Sequence, residues 1–151
     1  MRMHSGLGLV IAGCSRRKTP TRVPVPALEL YQGGIAPQLR RRLGARPEFR
    51  ERIRFLSAEH GLITADQRLL PYDRPLTAAR AVELRPRMAE AIADEFAARG
   101  VPEHVLIVAE PLYLVLLADL LAHPARPLLH WIPDPRDWPR AAAVLDAWRW
   151  P

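Results

Sequence analysis

The stretch Leu7-Gly8-Leu9-Val10-Ile11-Ala12-Gly13-Cys14-Ser15-Arg16-Arg17-Lys18 sets an apolar run directly against a cationic loop. Leu7–Ala12 shows no polar alternation, the pattern of a central strand covered on both faces. Three further runs repeat it: Ile53–Ser57, Val105–Ala109 and Leu128–Ile132. Helical patterns fall between them. Pro37 to Leu43 ends near Gly44. Thr77 can cap a longer segment carrying Val82, Met88, Ile92 and Phe96, which Gly100 stops and Pro86 is expected to kink or divide. Pro111 and Pro139 sit where a first helical turn begins, and the last helix is expected over Trp138 to Trp148. The alternation predicts an α/β fold, a three-layer α/β/α domain with about four mainly parallel strands in a central sheet. Residues Gly61 to Pro75 read as a long irregular loop.

The chain has 151 residues, enough for one domain with a full core, and no repeat or linker-like stretch divides it. Of its 22 basic residues, 21 are arginine, and the formal net charge is +6. That balance favours a polyanionic partner, a nucleic acid or nucleotide. The single cysteine excludes an intrachain disulfide and a cysteine-based zinc site. No span is long and apolar enough to cross a bilayer, so no membrane partner is expected. Ile11-Ala12-Gly13-Cys14 has the look of a lipoprotein cleavage box, but its apolar run is short for a secretory segment. It is read as a strand, and the protein as cytoplasmic.

In open α/β sheets, ligands bind beyond the carboxyl ends of the strands. Those ends read Gly13–Lys18, Ala58-Glu59-His60-Gly61, Glu110-Pro111-Leu112-Tyr113 and Pro133-Asp134-Pro135-Arg136-Asp137. Lys18, the lone lysine, is a candidate for amine chemistry or a point charge that arginine cannot copy. Cys14 is a candidate nucleophile in a cationic loop. With Ser15, Arg16 and Arg17 it forms a turn able to hold an anion. Neither a Walker A motif nor a dinucleotide fingerprint is present, and no cofactor is expected. Glu59 and His60 are candidates for proton transfer. Within Pro71-Tyr72-Asp73, Tyr72 can stack on a flat ring and Asp73 can activate water or hold a ribose hydroxyl. Tyr31 and Tyr113 are further binding candidates. Arg40, Arg41 and Arg42 form either a solvated helix face or a track for a phosphate backbone. Trp131, Trp138, Trp148 and Trp150 are read as packing residues. His4, His104, His123 and His130 show no ligand spacing, and no metal is expected.

Four ordered motifs carry a resemblance: Cys14-Ser15-x-x-Lys18, Pro26-Ala27-x-x-Leu30-Tyr31, Leu56-Ser57-Ala58-x-His60-Gly61-Leu62 and Pro71-Tyr72-Asp73-x-x-Leu76. Together they resemble a family of small bacterial and phage domains of unknown function, over about the first half of the chain. The spacing of Cys14 and Lys18 is also similar to a motif of archaeosine synthase, which adds an amine to a modified base in transfer RNA. Thr19-Pro20 follows here, where that family has Pro-Tyr and then Ser and His. The strand layout is similar to the uracil-DNA glycosylase-like fold, without that family's signatures, so glycosylase chemistry would rest on analogy alone.

The reading that joins these observations is a base-processing enzyme acting on a nucleic acid or nucleotide. The alternatives are a non-enzymatic DNA- or RNA-binding protein and an enzyme for a phosphorylated small molecule.

Overall fold

The computed structural model describes residues 8–151; Leu7 and His4 lie outside the described residues. In chain order the elements are β1 (Gly8–Gly13), β2 (Val25–Pro26), α1 (Ala27–Leu30), α2 (Ala36–Leu43), α3 (Pro47–Arg50) and β3 (Ile53–Ser57). Then come β4 (Gly61–Thr64), β5 (Arg68–Leu69), α4 (Ala78–Arg99), β6 (His104–Val108), a 3-10 helix (Pro111–Leu117), α5 (Ala118–Leu121), β7 (Leu128–Ile132) and α6 (Trp138–Ala147).

The main sheet runs β4-β3-β1-β6-β7, with β2 and β5 forming a separate two-stranded ribbon. Strands β3, β1, β6 and β7 are parallel, as the four apolar runs predict. Val10 in the middle of β1 lies beside Ile53 on one side and Leu106 on the other. Among the described residues the sheet has five strands, however, and the fifth corrects the irregular reading of residues 61 to 75. After Ser57 the chain reverses over Ala58-Glu59-His60. Gly61, at φ +78°, accepts the left-handed backbone that side-chained residues avoid, and β4 returns antiparallel to β3. Its four residues alternate between buried Ile63 and exposed Thr64, a half-covered edge too short to register as a periodic pattern.

β1 is the point at which the connections change direction. From β1 the chain crosses to β3 on one side, and from the β3–β4 hairpin it crosses back to β6 on the other. Right-handed crossovers in opposite directions put their helices on opposite faces. The two cores show this. Val10, Ala12, Phe55 and Leu106 pack with Leu39, Leu43, Phe49 and Leu145 from α2, α3 and α6. Leu9, Ile11, Leu56 and Ile107 pack with Leu84, Met88, Leu117 and Leu120 from α4, the 3-10 helix and α5. Successive residues of each strand alternate between these cores, the period of two expected of a pleated strand.

Thr77 caps α4 by accepting the Arg80 N–H at 3.1 Å, and Gly100 ends it. Pro86 neither divides the helix nor ends it: Ala78–Arg99 is continuous. Both Pro86 and Val82, whose carbonyl loses its intrahelical donor, lie on the exposed face, where water can take the donor's place. Trp148 and Trp150 stack edge to face, and Trp150 meets Phe49 the same way. Trp131 departs from the packing role: it is 40% exposed on the edge strand β7, its indole N–H donating to the Ala109 carbonyl.

Arg54, at 1% exposure, is the one charged side chain buried inside β3. It pairs with Glu95 of α4 at 2.6 Å and donates to the Glu51 and Ile53 carbonyls, while its Nε has no partner among the described residues. Removing one member of such a pair leaves an uncompensated buried charge, whereas replacing both by apolar groups is often tolerated. Glu95→Ala is therefore expected to lower unfolding stability by about 3 kcal/mol, and the pair Arg54→Met/Glu95→Leu by much less. Urea denaturation of the two proteins checks this; equal losses would refute it.

His104 of β6 and His130 of β7 stack, with Nδ1 and Nε2 3.2 Å apart. Burial and the neighbouring His104 hold His130 below the ordinary histidine range. The unfolded chain takes up that proton more readily, so this stabilisation is complete above about pH 6.5 and is lost as the pH falls below it. His60 is lowered too, chiefly by burial, and acts in the same direction. The melting temperature is expected to fall between pH 7 and pH 5, and His130→Gln to flatten that fall. An unchanged slope in the variant would assign the loss elsewhere.

Candidate active site

The reversal of direction at β1 opens a crevice beyond the carboxyl ends of β1 and β6, the usual ligand position in an open α/β sheet. A cleft of about 570 Å³ lies there. Gly13 to Arg17 form one wall, Gly33 and Gly34 another, and Asp134 to Arg136 after β7 a third. Pro75, Leu76, Leu112 and Tyr113 make the apolar side. Close approach fixes the glycines. A Cβ on Gly33 would sit 2.9 Å from that of Ser15, and Gly34 is left-handed at φ +60°.

Cys14 is the last rung of the β1–β3 ladder, its N–H donating to the Leu56 carbonyl at 2.9 Å. The loop that follows is pinned at both ends. Ser15 Oγ donates to the Arg17 carbonyl and accepts the Gly33 N–H. Lys18 bridges to Tyr31, and its Nζ turns back to donate to the Ser15 carbonyl at 2.9 Å and the Arg16 carbonyl at 3.4 Å. The same ammonium lies 4.4 Å from the centre of the Tyr72 ring and 5.9 Å from that of Tyr31, a cation–π arrangement.

Below the loop, three hydroxyls meet. Tyr72 Oη lies 2.5 Å from Tyr31 Oη and 2.6 Å from Ser57 Oγ. Ser57 Oγ also accepts the backbone N–H groups of Glu59 and His60, which fastens the β3–β4 turn to the same point. The His60 ring meets the Tyr72 ring edge to face at 4.9 Å. Arg80 and Arg87 of α4 donate to the carbonyls of Ala58, Glu59 and His60. Tyr113 Oη reaches Cys14 Sγ at 3.5 Å.

Burial sets the charge states. The Tyr31, Tyr72 and Tyr113 phenols are all pushed well above the ordinary tyrosine value, mainly by desolvation, and keep their protons at neutral pH. Desolvation lowers Lys18, while Cys14 and then Asp73 oppose it with favourable charge interactions.

The structure therefore brings together Cys14, Ser15, Lys18, Tyr31, His60, Tyr72 and Tyr113, from distant parts of the chain. Of these, Cys14, Ser15 and Tyr113 line the cleft, with Arg16 and Arg17. Lys18, Tyr31, Tyr72 and His60 stand behind the cleft wall, and the face of the Tyr72 ring is taken by Lys18. Asp73 is exposed beside Lys18. Glu59 turns to Arg74 in an ion pair at 3.2 Å. In α2, Arg40 donates to the carbonyls of Leu28 and Tyr31 and to Gln32, and Arg42 holds Asp146 and the C-terminal carbonyls of Trp150 and Pro151. Arg41 is exposed. Ser57, Gly33 and Gly34 were not among the candidates, and Arg136 was named only within the fourth strand end. The Gly-Gly doublet ahead of a helix was the available signal for two of them, while Ser57 is indistinguishable in sequence from any strand-end serine.

No curated protein and no solved structure matches the chain. A family model described as a family of unknown function, DUF6884, matches residues 9–128, which extends beyond the four motifs as far as the first residue of β7. The protein that builds this cleft is a member of that family, DUF6884.

Proposed function

We propose that the protein is an enzyme that processes the base of a nucleotide or nucleic acid, with the cleft beyond β1 and β6 as its substrate site. The observation that carries this reading is the two-sided lining of the cleft. A flat heterocycle fits against Pro75, Leu76, Leu112 and Tyr113, and a phosphate fits against Arg16, Arg17, Arg136 and the turn after Gly13. Arginine forks suit phosphate, and a protein of net charge +6 draws such ligands in. A cytoplasmic location accords with such a substrate and with Ile11–Cys14 lying in and just after a central strand.

Lys18 has a different part from the arginines. Its ammonium spans two loop carbonyls, so it fixes the shape of the phosphate-binding turn and places a positive charge behind Cys14. His60 and Asp73 lie outside the cleft and act on that arrangement rather than on the substrate.

Calorimetric titration with the four nucleoside monophosphates, the corresponding nucleosides and a short oligonucleotide tests the reading. Nucleotides are expected to bind and neutral nucleosides to bind at least about tenfold more weakly, one charge-assisted hydrogen bond being worth about 1.5–3 kcal/mol. Arg16→Ser/Arg17→Ser is expected to erase the difference. A polymer bound with a steep salt slope, and a variant at Asp134–Arg136 without effect, would favour a DNA- or RNA-binding surface instead. Absence of binding by any phosphorylated probe would sink the proposal.

The loop clamp generates a second expectation. Lys18→Arg should retain nucleotide affinity within about threefold, because a cation still reaches the two carbonyls, whereas Lys18→Met should lose about tenfold. If the arginine variant binds normally yet has no turnover on a substrate the parent converts, the amine itself is the reacting group.

A further inference from the structure

Strand β7 ends the sheet, with β6 on one side and no strand on the other among the described residues. Its bonds to β6 fix which main-chain groups stay free. Leu128 donates to the Glu103 carbonyl, and Ile132 accepts the Ala109 N–H. Alternate residues of a strand bond to the same side, so Leu128, His130 and Ile132 face β6. The N–H and C=O groups of Leu129 and Trp131 therefore point off the sheet, and no hydrogen bond to them is present among the described residues. Sheet edges are ordinarily protected by lysine, proline, a bulge or a covering loop. Leu128-Leu129-His130-Trp131-Ile132 holds no lysine, arginine, acid, glycine or proline. It is apolar on both faces. Ile132 joins the core beneath α6 and Leu129 packs on the opposite one, and Leu128 and Trp131 beside them are 65% and 40% exposed.

We propose that this edge pairs with the same edge of a second copy of the chain, antiparallel about a two-fold axis at His130, joining two sheets into one. Three features around β7 select a copy of itself as the partner. About that axis Leu129 lies opposite Trp131 of the partner subunit, and each such pair exchanges both its hydrogen bonds, so every free group of the two residues is used. Pro127 and Pro133 continue the outward-facing set on either side, and neither has an N–H. Sliding one copy by two residues in either direction sets a proline against Trp131 or Leu129 and strands a carbonyl. In the same register Arg126 falls opposite Asp134 of the partner subunit, at both ends of the paired strands. Both residues are exposed, and neither has an ion-pair partner among the described residues.

The side chains agree with this register. Trp131 falls opposite Leu129 of the partner subunit on one face, and Leu128 opposite Ile132 of the partner subunit on the other, apolar cross-strand pairs of the kind that stabilise sheets. The indole needs little further ordering, since its N–H is already held by the Ala109 carbonyl. A foreign extended peptide would satisfy the same main-chain groups, but the bracketing prolines and the opposed charges belong to β7 paired with itself. The contact is small, a five-residue strand on each side, so association of micromolar strength is expected. Asp134 also lines the cleft, so Arg126 of the partner subunit comes to the rim of that site. The two clefts then open at opposite ends of the joined sheet. None of this depends on what the cleft binds.

Sedimentation equilibrium of the full chain tests the proposal. The native protein is expected to pass from a 17.0 kDa monomer to a dimer between about 1 µM and about 200 µM. Trp131→Lys, which places a charge on the free edge, is expected to stay monomeric, with circular dichroism confirming that it is folded. Arg126→Asp and Asp134→Arg each set like charges opposite one another at both ends, and each is expected to weaken the dimer about tenfold. The double variant Arg126→Asp/Asp134→Arg restores the opposed charges with their signs exchanged. It is expected to dimerise within about threefold of the native constant. A native chain still monomeric at about 0.5 mM would overturn the proposal. So would a dimer indifferent to Trp131→Lys, or a double variant that dimerises no more tightly than the single ones.

Discussion

A phenol buried to the last atom must have somewhere to send its proton. Tyr31 is such a group, and its answer is Tyr72, 41 residues further along the chain. That single demand ties the end of α1 to the loop after β5. Ser57 joins at the same oxygen and brings in the end of β3 and the hairpin turn. The ring of Tyr72, once placed, offers its face to Lys18, and Lys18 shapes the loop that carries Cys14. A chain of local necessities thus runs from a core hydroxyl to the wall of the cleft.

The second constraint is topological. A sheet whose first strand has later strands on both sides must send its connections opposite ways, and the loops diverge above that strand. The cleft is the gap left by this divergence. Its polar and apolar sides come from loops that belong to different layers. Gly33 and Gly34 lead into α2 on one face, and Tyr113 stands on the 3-10 helix of the other.

Much of this architecture was legible in the residues. The four parallel strands are apolar without alternation because both faces are covered, and that pattern needs no partner to be seen. β4 escaped because an edge strand of four residues with a glycine and an exposed threonine carries little pattern. Pro86 does not divide α4, and the reason, that Pro86 and Val82 both lie on its exposed face, is a property of packing and not of sequence. In the site, the residues of the first loop, Tyr31, Tyr72, His60 and Tyr113 do converge. What could not be read was which side of the cleft wall each would occupy. Lys18 and Tyr72 cover one another, an arrangement set by the Tyr31–Tyr72 contact, and Glu59 is paired with Arg74. The arginine run of α2 reads as a solvated helix face or a track for phosphate, and packing gives two of its members a further part, holding backbone carbonyls of a four-residue helix and of the C-terminus.

The junction at Tyr72 also couples two properties that proteins commonly keep apart. Its oxygen holds together three segments of the fold, and its ring carries the Lys18 ammonium that shapes the loop after Cys14. Sequence change at Tyr31, Ser57 or Tyr72 therefore alters the stability of the fold and the shape of the Cys14 loop at once, and neither can be tuned alone. Variation that adapts the cleft to different ligands has its freer ground on the opposite bank, at Glu110 and Arg136, whose exposed side chains line the cleft.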